Sequence, residues 1–223
     1  MAQCFATLMT ALGHEKYAVQ GGDWGSLISL WQARLFPARI IGAHVNMFFA
    51  DIPGTPTPEE EAYRAGRLAW ANAEGAYAAI QGTKPQTLSY AMTDSPAGLA
   101  AWIVEKFCTW SDCDGDPDRA YTKDRLLENI MLYWVTGTIN SSMRMYYESI
   151  GPGRAPTQPQ PYIATSTGHA RYPAEIRRTP RAWAEQMYNI VRWTEMPKGG
   201  HFAATEQPKL FVDEVRAFFR ELR

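Results

Sequence analysis

A chain of 223 residues with a formal net charge of −1 is long enough to bury a sizeable core, and it has no basic stripe to hold nucleic acid. Its three cysteines, Cys4, Cys108 and Cys113, are too few and scattered for a disulfide framework, and no C-x-x-C or H-E-x-x-H spacing marks a zinc site. No apolar run reaches membrane-span length and residues 1–13 lack a cleavable signal pattern, so the expectation is a soluble protein of a reducing, cytoplasmic compartment.

Residues 5–12 read as a helix that stops at Gly13. Residues 17–20 are a short strand, and residues 27–36 a helix stopped by Pro37. Between them lies Gln20-Gly21-Gly22-Asp23-Trp24-Gly25-Ser26, with small residues two before and two after an aspartate. That is the spacing of a nucleophile elbow, a strand-to-helix turn that only small neighbours permit. A serine there attacks acyl carbons. A carboxylate is better suited to displacing a leaving group from an sp3 carbon, giving an ester that water then cleaves. The elbow therefore points to epoxides or alkyl halides. The plainer reading is a Gly-Gly-Asp turn whose carboxylate caps the following helix. Residues 40–47 form a mostly apolar run of strand length, completing a βαβ unit and hence a parallel sheet.

Residues 51–58 are a Pro-rich break, after which the chain changes character. Residues 59–80 are helical in composition. Ser95-Pro96 opens another helix with Leu99, Trp102, Ile103 and Phe107 on one face. Residues 123–147 form a third long helical region with Leu126, Leu127, Ile130, Met131 and Trp134 facing inward. With no strand-like alternation between 53 and 150, this is an all-helical insertion. Within it, the run Asp112 to Asp118 has the composition of a calcium loop, but Lys123 stands where the closing glutamate belongs, so a solvated acidic loop is expected. The Pro/Gly-rich segment 151–161 marks the return. A strand at 162–166, a short helix at 180–186, a strand at 188–193 and an amphipathic helix at 211–222 follow. The expected plan is thus an α/β class with three parts: core residues 1–52, a helical lid at 53–150, and core residues 151–223.

Asp23 needs partners. His201 lies in Lys198-Gly199-Gly200-His201-Phe202-Ala203-Ala204, a glycine-flanked loop after the last strand. That is where an α/β-hydrolase carries its histidine, in the chain order nucleophile, acid, histidine. His14 after a helix, His44 in a strand and His169 in a loop read as ordinary structural or surface histidines. The acid that orients His201 should follow the preceding strand. Glu175 stands there, with Glu185 as a weaker second, and the plainer reading of Glu175 is a helix-start carboxylate. The eight tryptophans and eleven tyrosines serve core packing or an apolar pocket.

Taken together, these blocks resemble the microsomal-type epoxide hydrolases, including the juvenile-hormone epoxide hydrolases. The resemblance rests on Gly21-Gly22-Asp23-Trp24-Gly25, the run Thr93 to Ile103, Glu105-Lys106-Phe107, Leu132-Tyr133-Trp134, Tyr172-Pro173-Ala174-Glu175 and Gly199-Gly200-His201-Phe202-Ala203-Ala204. It implies an α/β-hydrolase fold, Asp23 as nucleophile, Glu175 as relay acid, His201 as general base and the Trp24 N–H as an oxyanion donor. It also implies two lid tyrosines that protonate the epoxide oxygen, matched by Tyr77 and Tyr146, with Tyr147 as fallback. Tyr172 replaces a phenylalanine of the family pattern. No metal or organic cofactor is called for. The expected partners are an apolar epoxide and water, with no membrane segment in this chain and homo-oligomerisation left open.

The implied fold has an eight-stranded sheet with the nucleophile after the fifth strand, yet only 22 residues precede Asp23. The first strands and the His-Gly-x-Pro loop that supplies a second oxyanion donor are not in this sequence. The expectation is the C-terminal part of a longer enzyme, with little turnover of its own. Two alternatives are an aspartate-elbow dehalogenase and a non-catalytic binder of apolar ligands.

Overall fold

A computed structural model of the protein describes residues 1–50, 55–153 and 161–222; the two Pro-rich breaks expected from the sequence lie partly outside these residues. The elements run α1 (Ala2–Ala11), β1 (Tyr17–Gly21), α2 (Asp23–Leu35) and β2 (Ile40–Val45), then six helices. These are α3 (Pro58–Glu74), α4 (Ala76–Thr83), α5 (Pro85–Asp94), α6 (Pro96–Trp110), α7 (Lys123–Thr136) and α8 (Ile139–Ile150). The chain then returns through β3 (Ile163–Arg171), α9 (Arg181–Met187), β4 (Tyr188–Glu195), α10 (Ala203–Glu206) and α11 (Pro208–Arg220). Two compact units result, Met1–Tyr63 with Gln160–Arg223, and Arg64–Pro159. The division falls inside α3, because Tyr63 packs edge-on against Trp183 at 5.5 Å and its hydroxyl meets Thr179 Oγ1 at 3.2 Å.

In the first unit the four strands form one parallel sheet in the order β1-β2-β3-β4. Its strands carry apolar residues on both faces, as parallel strands covered by helices must. Val19, Ala43, Val45 and Ile163 of the sheet share a core with Leu30 and Ala33 of α2 and Ala184 of α9. Phe48, fully buried, stacks on Tyr188 at 4.8 Å and lies 4.7 Å from the His169 ring. β3 runs further than the alternation suggests, so His169 lies in a strand and not in a loop. It is buried, and its Nδ1 pairs with the Val45 carbonyl at 3.0 Å. The segment Thr167-Gly168-His169-Ala170 is buried on both faces, which removes the period-2 signal.

The second unit is helical. Its core joins Met92 of α5, Leu99 of α6, Ile130 of α7, and Ile139 and Met143 of α8. The single helix expected over 59–80 is two, α3 and α4, broken at Gly75, where a Cβ would stand 2.4 Å from the Ala71 carbonyl oxygen. The region 123–147 likewise divides at Gly137, in the left-handed conformation with φ 63°. Helix α5 was not expected. On α7, Leu126 and Ile130 are buried, whereas Leu127 and Met131 are 54% and 46% exposed. Only one stripe of that helix meets its neighbours. Among the described residues no helix is long and apolar enough to cross a membrane.

Candidate active site

The elbow begins where β1 ends. Gly22 holds the N-cap of α2 with extended backbone, and Asp23, the first helical residue, has φ +46°. A non-glycine residue held there is strained, as expected of a nucleophile presented on a sharp turn. The turn is tight because a Cβ on Gly21 would lie 2.1 Å from Gly25 C and O. At Gly25 the same test meets nothing within 4 Å. The spacing thus reflects side-chain exclusion at Gly21 and backbone approach at Gly25. The buried Ser26 Oγ donates to the Gly21 carbonyl at 2.9 Å, and the Asn46 N–H donates to the same oxygen at 3.1 Å, fixing the turn from both sides.

Glu175 follows β3 and His201 follows β4, so all three groups stand beyond the carboxyl ends of parallel strands, where open α/β sheets place their chemistry. The His201 Nδ1–H donates to Glu175 Oε1 at 2.7 Å, and Nε2 faces Asp23 Oδ2 at 3.5 Å. Glu175 Oε1 also accepts the Ile176 N–H at 2.8 Å, which orients the carboxylate. The two loops are joined by a bridge between Ala174 and Gly200 and by the Ala174 N–H donating to the Gly199 carbonyl at 3.1 Å. Asp23 does not hold the cap of α2; its carboxylate is turned to His201. Glu185, the second candidate for the acid, instead pairs with Arg181 on α9 at 2.6 Å.

Burial lowers the pKa of His201, but hydrogen bonds and charge from Asp23 and Glu175 outweigh it and raise it to about 10. His44 and His169 behave in the opposite way. Burial depresses His44 to about 4 and His169 to about 3, so both are neutral core groups at physiological pH.

Tyr77 on α4 and Tyr146 on α8 are brought together within the helical unit, their ring centroids 5.7 Å apart and their planes at 78°. Trp110 packs edge-on against Tyr77 at 5.1 Å, and Lys106 Nζ lies 5.0 Å from the Tyr77 ring centroid. Tyr147 is 39% exposed. A hollow of about 660 Å³, lined by Leu88, Met92, Trp102 and Glu105 among others, lies wholly within the helical unit and holds none of the predicted site residues.

No protein-family model matches this sequence. Epoxide hydrolase 1 of Sus scrofa is 37% identical, over 97% of this chain and 54% of its own length. Juvenile hormone epoxide hydrolase 2 of Ctenocephalides felis is also 37% identical, over 93% of this chain and 50% of its own. The crystal structure of the juvenile hormone epoxide hydrolase from the silkworm Bombyx mori superposes with a TM-score of 0.88 at 34% identity, covering 100% of this chain and 58% of that one. Along nearly its whole length the chain is similar to proteins named epoxide hydrolases. It spans about half the length of the curated relatives it matches. With the Bombyx mori structure it shares the α/β-hydrolase fold.

Two groups that support this site escaped the sequence reading. Ser26 looks like an ordinary helix residue until its hydroxyl is seen closing the elbow. The buried Glu206, at the end of α10, accepts the Gly200 N–H on Oε2 and the Phe202 N–H on Oε1, both at 2.9 Å. An acid four residues after the aromatic that follows the histidine was the available signal.

Proposed function

We propose that the protein hydrolyses an apolar epoxide to a vicinal diol through an ester formed on Asp23. The observation that carries the reading is the line Asp23–His201–Glu175, with the aspartate on a positive-φ elbow and the imidazole held between two carboxylates.

An Asp23 carboxylate oxygen attacks an epoxide carbon, and the C–O bond of the ring breaks as its oxygen takes a proton. The donors assigned by the family resemblance are Tyr77 and Tyr146. Water then adds to the ester carbonyl while His201 Nε2 takes one of its protons. The Trp24 N–H, in the first turn of α2, helps hold the oxyanion. The bond between the ester carbon and the diol oxygen breaks, the diol oxygen takes the proton held by His201, and the proton released as Asp23 returns to carboxylate restores the tyrosine. The second oxyanion donor of the resemblance belongs to a His-Gly-x-Pro loop that this sequence does not contain.

The charges also support the order of steps. Beside a free Asp23 the imidazole is protonated and cannot act as a base. Alkylation removes the Asp23 charge, and His201 then loses part of what holds its proton, which passes to bulk water and is regained when the carboxylate is restored. The base thus becomes available when there is an ester to hydrolyse. An aspartate elbow also suits a dehalogenase, but the names of the relatives favour the epoxide.

A single turnover of the full-length protein on styrene oxide in heavy-oxygen water tests this. The label is expected in the Asp23 carboxylate and absent from the first diol released. Label appearing directly in that diol would mean that His201 activates water for attack on the epoxide itself.

A further inference from the structure

The loop that carries His201 has no regular secondary structure of its own, yet the base needs a fixed imidazole. Gly199 has φ +112°, and a Cβ there would lie 2.8 Å from Tyr172 Cδ1, so the loop enters through a position only glycine fills. One residue later the chain reaches Gly200 and then His201. Hydrogen bonds to Asp23 and Glu175 align the tip of the ring, but they do not by themselves set where the His201 backbone stands.

Glu206 is placed to do that. Its carboxylate spans the histidine, with one oxygen on the amide before His201 and the other on the amide after it, each at 2.9 Å. The residue is 8% exposed, so the carboxylate lies largely out of water, where a hydrogen bond is electrostatically stronger. α10 is a single turn, and Glu206 stands at its end. We propose that Glu206 is a positioning residue for the general base, clamping the Gly200 and Phe202 amides so that His201 Nε2 is aimed at the Asp23 ester. The inference rests on the epoxide-hydrolase reading above. Its chemical consequence is confined to the second step, in which water adds to the ester carbon, one water proton passes to His201 and the diol oxygen departs. Ring opening by Asp23 uses no proton transfer to His201 and does not depend on the clamp.

The geometry sets different outcomes for different replacements. Glu206→Gln keeps one acceptor oxygen but turns an NH₂ toward the other amide. Glu206→Ala leaves both amides without their acceptor, and Glu206→Asp is one methylene too short to span both.

The test uses the full-length protein with styrene oxide as probe, following alkylated protein and diol release by rapid quench and mass spectrometry. In Glu206→Gln, alkylation of Asp23 is expected within about two-fold of the parent, and hydrolysis of the ester about 10- to 100-fold slower, so that alkylated protein accumulates. Equal slowing of both steps, or of neither, would overturn the proposal. A second readout needs no activity. The His201 imidazole is followed by NMR across pH, together with the Gly200 and Phe202 amides. In Glu206→Gln and Glu206→Asp the His201 midpoint is expected to fall and at least one of the two amides to lose protection from exchange, with both losing it in Glu206→Ala. An unchanged midpoint and unchanged amide protection would also defeat the clamp. If the parent itself forms no adduct at Asp23, the epoxide reading fails, and the NMR arm alone decides the role of Glu206.

Discussion

Asp23 and His201 face each other across 3.5 Å, and the charge on the first helps keep the second protonated. Asp23→Asn removes the charge and keeps the shape, as the ester intermediate does. The His201 midpoint, near 10 in the parent, is therefore expected to fall in the variant, as read by NMR of the imidazole. The linkage sign follows. A folded value above the ordinary 6.5 gives stabilisation that is complete below pH 6.5 and lost as pH rises through 10. Urea melts between pH 7 and 10 should show this alkaline decline in the parent and a shallower one in Asp23→Asn. Equal midpoints in the two proteins would mean that Asp23 does not hold the proton.

The elbow predicts opposite results for two glycines. Gly21→Ala forces a Cβ to within 2.1 Å of the Gly25 backbone and should cost about 2 kcal/mol or more. Gly25→Ala meets open space inside a helix and should stabilise by about 0.5–1 kcal/mol. Denaturant melts of the two variants check this, and comparable losses at both sites would refute the account of the turn.

Mutation should separate the two halves of the reaction. His201→Gln is expected to alkylate and then stall, leaving a stoichiometric adduct visible by mass. Tyr146→Phe should slow alkylation instead, by a factor of about 10 or more, because the ring oxygen loses a proton donor. Tyr147→Phe should have little effect. The reverse pattern for the two tyrosines would move the role to Tyr147.

His44 is fully buried, neither ring nitrogen has a hydrogen-bond partner among the described residues, and Glu214 Oε1 lies 4.0 Å from Nε2. With its pKa depressed by burial to about 4, the neutral ring is stable above pH 6.5, and stability drains away as pH falls from 6.5 toward 4. His44→Leu removes the orphaned nitrogens and should keep stability at pH 7 while flattening this acid decline. An acid limb as steep as the parent's would place the sensitivity elsewhere, with His169 the next candidate.

Much of this was legible in the chain because the relevant residues carry local signals. Gly21-Gly22-Asp23-Trp24-Gly25 announces a turn with a purpose, and the glycines before His201 do the same. The α/β pattern and its helical interruption follow from periodicity. What escaped lies in relations between distant or unmarked residues. The spacing of Glu206 from Phe202 is a weak local signal for an acid that reaches back around His201, and nothing local tells that Ser26 and Asn46 meet on one carbonyl. The run through His169 lost its strand signal because both faces of β3 are covered. The inward set on α7 was drawn too wide, since composition does not say which of two adjacent apolar stripes finds a neighbour.

The order β1-β2-β3-β4 has a consequence for how the chain is made. β2 pairs with β3, yet every residue from Val45 to Ile163 must be synthesised between them. At about 5–20 residues per second on the ribosome, the far edge of β2 waits about 6 to 23 seconds for its partner. That edge is apolar and unpaired throughout, the condition in which strands join the wrong chain. The intervening helices pack chiefly against one another, α4 and α5 against α8, and can fold in that interval, shortening the span that must be closed. Asp23 is therefore synthesised well before His201, and the two meet only when the last strand arrives.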